Sequence, residues 1–156
     1  MDIEQVKLVA TFISIILALF AIFKWLLEYN KKNQLERAKV YLELRQRFKE
    51  TNNFATIIAY LDSNDEKLNK IDKADKLKFL GFLEEIALMV NSGLLNKKIA
   101  NQSFGFYINK AWENPYMWWE GNSRDSEYRI LLKWINDECQ AIHNNSKAKH
   151  VSHYKF

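Results

Sequence analysis

A chain of 156 residues with one proline, four glycines and one cysteine leaves little room for a β-sheet and excludes a disulfide-built exterior domain. The net charge of +4 is local: Lys24 to Glu50 holds eight basic and four acidic residues, Thr51 to Phe156 fourteen and thirteen. The excess follows an apolar run, where each basic residue near anionic headgroups contributes on the order of 1 kcal/mol, so membrane lipid is the expected partner and long nucleic acid is not.

That run, Leu8 to Phe23, contains no charge, Pro or Gly, and it extends from Val6 to Leu27 across Lys7 and Lys24. At ~1.5 Å per residue the uncharged stretch covers about 24 Å of a ~30 Å hydrocarbon core, so a span requires both lysines to snorkel outward. Trp25 and Tyr29 follow where an interfacial aromatic belt would lie. A soluble-core helix would carry a polar stripe, and only Thr11 and Ser14 are present. A cleaved signal peptide would start basic and end in small residues, but this start carries Asp2 and Glu4 and the run ends Phe23-Lys-Trp-Leu-Leu. Residues 1–30 therefore read as a single-pass transmembrane anchor. Lys24, Lys31, Lys32, Arg37 and Lys39 follow the span and only Lys7 precedes it, which puts the N-terminus outside and the remainder in the cytoplasm. Within the span Ala10, Ser14 and Ala18 recur every four residues beside Thr11 and Ala21. Such a narrow small-residue face favours close helix approach in lipid, so a homo-oligomer is expected.

Residues 31–143 read as a cytoplasmic helical domain, making the chain all-α: one transmembrane helix continuing into a helical bundle. Segments are predicted at about Gln34 to Glu50, Asn53 to Leu61, Lys73 to Ser92, Asn96 to Glu113 and Asp125 to His143. No Pro or Gly separates the first from the span, so one helix from Gln5 to about Glu50 is expected, and it would transmit motion. Ala38, Tyr41, Leu42, Arg45 and Phe48 should form its packing face. Asp62 to Asp75 is charged and reads as a loop. Lys73 to Ser92 is apolar on more than one face and should be central, with Gly93 as its left-handed stop. Inside it Glu85 should face the wetter side, while Glu84 falls among apolar residues. The latter is read as a structural ion pair with Arg37, Arg45 or Lys110, or else as a ligand-binding or titrating carboxylate. Residues 144–156 lack periodicity and read as a mobile tail.

Phe104, Phe106, Tyr107, Trp112, Tyr116, Trp118, Trp119, Tyr128 and Trp134 lie among Lys110, Arg124 and Arg129. Rings of this kind pack cores, and Trp112 and Trp134 fit that role. Between Pro115 and Gly121, however, two adjacent Trp cannot share one buried direction, so one of Trp118 and Trp119 should be partly exposed. Lys110, Trp118, Trp119, Arg124 and Arg129 are the candidate ligand or partner site, because bases stack on rings while Arg and Lys hold phosphates. Catalytic signals are missing: no phosphate-cradling Gly loop, no His-Glu-x-x-His, no paired Cys and no nucleophile elbow. His150 and His153 lack a third metal ligand. No enzyme activity, cofactor or metal is expected.

The order of one span, then Leu-Glu-Arg-Ala-x5-Leu-Arg-x-Arg-Phe (Leu35 to Phe48), then Phe82-Leu-Glu-Glu-Ile-Ala-x3-Asn-x-Gly-Leu-Leu95, then Phe104-Gly-x-Tyr and Trp112, resembles an uncharacterised family of small bacterial membrane-anchored helical proteins. The resemblance implies a bacterial inner-membrane protein with a cytoplasmic helical domain and supplies no activity. In layout the chain is also similar to membrane effectors of bacterial antiviral (CRISPR) defence gated by cyclic oligoadenylates. The expected function is a sensor or effector module whose bundle binds a ligand, such as a nucleotide second messenger, or a protein partner, and alters an oligomer of membrane helices. The alternative is a non-switching scaffold that holds a partner protein at the membrane.

Overall fold

The computed structural model describes residues 2–152. Among them five α-helices form: α1 (Ile3–Glu50), α2 (Asn52–Ser63), α3 (Lys73–Asn91), α4 (Lys97–Glu113) and α5 (Ile130–Ser152). Short 3-10 turns span Glu66–Lys70, Pro115–Met117 and Glu127–Arg129. No strand occurs among the described residues, only an isolated bridge between Trp119 and Asn122. The chain divides into two compact units, 1–39 and 40–156.

The first unit is the N-terminal part of α1. Residues 11–30 are all exposed, and a stretch of mean hydropathy 2.0 within α1 has none of its residues buried. A soluble-core helix would hide this surface; this one is long and apolar enough to cross a membrane, and none of the described residues covers it. Trp25 and Tyr29, one turn apart, stack with centroids at 5.7 Å. Of the small-residue stripe, Thr11, Ser14, Ala18 and Ala21 are exposed, and the Ala10 side chain lies outside the described part. Thr11 Oγ1 donates back to Lys7 O at 2.9 Å, so its proton serves its own helix.

The second unit is a bundle around α3. Phe79, Leu80, Leu83, Ile86 and Ala87 are fully buried, as expected of a central helix. Around them lie Phe54, Ile57 and Leu61 of α2, Ala100, Phe104 and Ile108 of α4, and Leu132, Ile135 and Cys139 of α5. α4 and α5 meet near Gly105: a Cβ there would lie 3.4 Å from Cys139 Sγ, an ordinary contact, and would collide only with the side chain of Asn101 in the same helix, which occupies the space the glycine leaves. The end of α1 packs through Tyr41, Leu44 and Phe48, not through the whole expected set, since Leu42 is 62% exposed and Arg45 is also exposed. The segment contains two overlapping apolar periodicities, and the bundle uses the one that includes Leu44.

Capping sets the remaining boundaries. Thr51 ends α1 by donating its hydroxyl to Arg47 O at 2.7 Å, leaving α2 without a side-chain cap. Asn64, at φ 52°, closes α2 in the left-handed conformation. The charged stretch that follows holds the turn Glu66–Lys70, started by Asp65 and plugged into the core by Leu68, which is fully buried. Asp72 caps α3, and Gly93 at φ 76° ends that segment, with Leu95 N–H returning to Met89 O at 2.9 Å. Asn96 caps α4 through Lys98 and Ile99. α5 begins later than predicted, at Ile130, and continues to Ser152. Residues 144–152 continue this helix although their sequence lacks periodicity, and 153–156 lie outside the described residues.

Candidate functional site

The five candidate residues, Lys110 in α4 and the other four between α4 and α5, do not share one site, although Arg124 and Arg129 line a common cleft at the start of α5. Arg129 is 8% exposed; its Nη1 donates to Glu84 Oε1 at 2.7 Å and its Nη2 to Asn122 Oδ1. It ties the entry of α5 to α3 and is committed to protein partners. Glu84 therefore pairs with Arg129, not with Arg37, Arg45 or Lys110. The sequence offered no means of bringing residue 129 to residue 84, because the loop before α5 has no periodicity. Glu85 is held bidentately by Arg47, at 2.7 and 2.9 Å.

Trp118 and Trp119 do point to different neighbours, and both are half-buried. The first packs edge-on to Trp112 with centroids at 5.6 Å, and its Nε1 donates to Trp112 O at 3.3 Å. Trp119 faces the ammonium groups of Lys73 and Lys76, each 5.8 Å from the ring centre. Lys76 is itself buried, and its Nζ donates to Tyr116 O at 2.8 Å, fastening the Pro115–Met117 turn to α3. Burial, helped by Lys73, lowers its pKa below the ordinary lysine value. Arg124 is exposed on the loop before α5. Lys110 sits 5.7 Å over Phe106, in a polar cleft of about 640 Å³ beside α5 that also contains Glu113, Gln140 and His143. Glu113 carries the opposite charge there, so that cleft has no single sign. Among the described residues no three His, Cys, Asp or Glu side chains gather as a metal site; the His150 side chain and His153 lie outside them.

A different cleft gathers charge of one sign. It encloses about 350 Å³ and is lined by Arg45, Phe48 and Lys49 of α1 and by Gln102, Ser103, Phe104 and Tyr107 of α4. No acidic residue lines it, and among the described residues neither Arg45 nor Lys49 forms an ion pair; neighbouring Arg47 has taken Glu85. Like charges at i,i+4 on a helix cost about 0.2–0.5 kcal/mol. Arg45 Nη1 donates to Tyr41 Oη at 2.8 Å, and Tyr41 Oη shares a hydrogen bond of 3.0 Å with Ser103 Oγ. The Ser103 bond first, then Arg45 and Lys49, hold the Tyr41 hydroxyl below its ordinary pKa, against the opposing effect of burial. Such a wall of donors and cations over aromatic rings suits an anion carrying an apolar part. Sequence reasoning placed Arg45 on a packing face and passed over Lys49. The available signal was the Arg45-x3-Lys49 spacing with Tyr41, Leu42 and Gln46, and no acid, at the flanking i±3 and i±4 helical positions.

The sequence profile of a family described as a domain of unknown function, DUF4760, matches residues 8–134, and the chain belongs to that family. The match takes in both the apolar stretch and most of the bundle. No curated protein and no solved structure matches the chain.

Proposed function

We propose that this member of the family is a membrane-anchored sensor or effector module of the bacterial inner membrane. Its N-terminus lies outside, its bundle is cytoplasmic, and binding of a small ligand or partner by the bundle alters a homo-oligomer of membrane helices. The observation that carries the reading is that one uninterrupted helix, α1, bears both features. It presents the uncovered apolar surface between residues 11 and 30, and near its C-terminus it supplies Arg45, Phe48 and Lys49 to the basic cleft. A ligand on that cleft therefore touches the same element that enters the lipid. Antiviral defence by a membrane effector that answers a nucleotide second messenger is a setting with this layout. A passive scaffold would need neither the basic cleft nor self-association.

The test is crosslinking of the full chain in native membranes, with and without candidate nucleotides. Multimers that change with a ligand, and that are lost on replacing Ser14 and Ala18 together with Leu, are expected, because bulk on the small-residue stripe blocks close approach. Monomers alone under every condition would remove the oligomeric effector and leave the scaffold.

A further inference from the structure

We propose that the cleft between the end of α1 and α4 is a binding site for the phosphate monoester of a compact organic group. This deepens the reading above, on which it rests for the premise that the bundle binds a small ligand. Tyr41 and Ser103 share one hydrogen bond, and Tyr41 Oη already accepts from Arg45. Two hydroxyls carry two protons, one of which is used between them; with Tyr41 as donor the Ser103 proton remains for an acceptor outside the pair, and Ser103, unlike Tyr41, lines the cleft. To this are added the Lys49 ammonium, which has no carboxylate partner among the described residues, and the guanidinium N–H groups of Arg45 that Tyr41 does not take.

An acceptor with several oxygens and more than one negative charge satisfies this set better than a carboxylate does, since charge-assisted bonds to Arg and Lys are the strong ones. The rest of the wall is the Gln102 amide and the rings of Phe48, Phe104 and Tyr107, and an organic group can lie against those rings. At about 350 Å³ the cleft stands at the small end of ligand sites, roughly 300–1,000 Å³. It holds a phosphate and a group about the size of one nucleoside, not an extended polymer. The phosphate ester could belong to a soluble metabolite or to a lipid headgroup, and the chemistry of recognition is the same for both.

The experiment uses the full chain in nanodiscs. In phosphatidylcholine discs, inorganic phosphate and adenosine monophosphate are titrated by calorimetry against the native chain, Arg45→Gln, Lys49→Gln and the control Lys98→Gln, an exposed lysine elsewhere on α4. In the second arm, thermal stability of the same four chains is compared between phosphatidylcholine discs and discs containing phosphatidic acid. Circular dichroism of each unliganded variant checks that the bundle is folded. Adenosine monophosphate binding that weakens tenfold or more in both cleft variants, with the control unchanged, is the expected result and assigns a soluble ligand. Stabilisation only by phosphatidic acid, abolished in both cleft variants, supports the site and assigns the headgroup. Absence of both effects, or effects indifferent to Arg45 and Lys49, overturns it. Phosphate binding that leaves the crosslinked oligomer unchanged would keep this site and overturn the switch. A ligand-responsive oligomer without phosphate recognition would do the reverse.

Discussion

Cys139 and Lys76 are buried groups whose titrations act on stability with opposite signs. Burial pushes the Cys139 thiol up to about 11 from 9.0, with Glu138 adding to the rise and Lys97 opposing it. As pH climbs through that interval the unfolded chain loses the thiol proton while the native chain keeps it, so the native state binds more protons and stability falls. The loss is on the order of 2–3 kcal/mol across the window. For Lys76, lowered from 10.5, the native state releases its proton first, so its contribution rises with pH until the unfolded lysine also titrates. Urea midpoints measured from about pH 8 to 10.5 should therefore fall less steeply in Cys139→Ala and more steeply in Lys76→Met than in the native chain. An unchanged slope in either variant would contradict its assignment. Arg129 gives a second residue-scale outcome. Because Arg129→Ala strands Glu84 and Asn122 half-buried, it should cost about 2–3 kcal/mol in chemical denaturation, whereas Arg124→Ala should stay within about 0.5 kcal/mol. Equal small effects would return Arg129 to the role of a free ligand-binding cation.

At the scale of elements, α1 shows what a pattern of apolar residues resolves and what it leaves open. The absence of Pro and Gly was enough to foresee one helix to Glu50, because nothing in the backbone interrupts it. The face it buries was only half legible, since Tyr41 and Phe48 belong to both candidate stripes and Leu44 to one. Phe48 settles the docking: its ring lies 5.0–6.4 Å from Phe54, Phe79, Phe82, Phe104 and Tyr107, so residues of α2, α3 and α4 meet on it. Phe48→Ala should destabilise the bundle by about 3 kcal/mol, toward the low end for loss of a core aromatic because the ring is half-buried. Leu42→Ala, on the exposed face, should change it by no more than about 0.5 kcal/mol. A reversed order in calorimetric or urea unfolding would mean that α1 docks through the face read from sequence. The candidate site was less legible still. Lys110, Trp118 and Arg129 are close in sequence, but they go to an α4–α5 cleft, to Trp112 and to Glu84 respectively, whereas the basic cleft joins residues 45 and 49 to 102–107. That pairing depends on how α1 docks, which local periodicity does not contain.

For the whole molecule, the proposed orientation rests on the charges that flank the apolar stretch. Asp2, Glu4 and Lys7 precede the apolar stretch, and Lys24, Lys31, Lys32, Arg37 and Lys39 follow it. Positive charge within about 15–20 residues of a span end is what holds a flank in the cytoplasm, and acidic residues contribute little. The balance of five against one is therefore the operative quantity, and α5, Arg129 and the basic cleft should all face the cytoplasm. A green fluorescent protein fused at the C-terminus should fluoresce, and alkaline phosphatase at the same point should be inactive. The decisive measurement is reversal. Replacing Lys24, Lys31 and Lys32 with Gln while changing Asp2 and Glu4 to Lys makes the count two against three, and should move a substantial share of chains to the opposite orientation, seen as phosphatase activity rising while fluorescence falls. If the native fusion already shows active phosphatase and no fluorescence, the bundle is exterior and the cytoplasmic sensor reading falls with it. If the charge-reversed chain keeps its orientation, folding of the bundle before insertion, not flank charge, sets the topology.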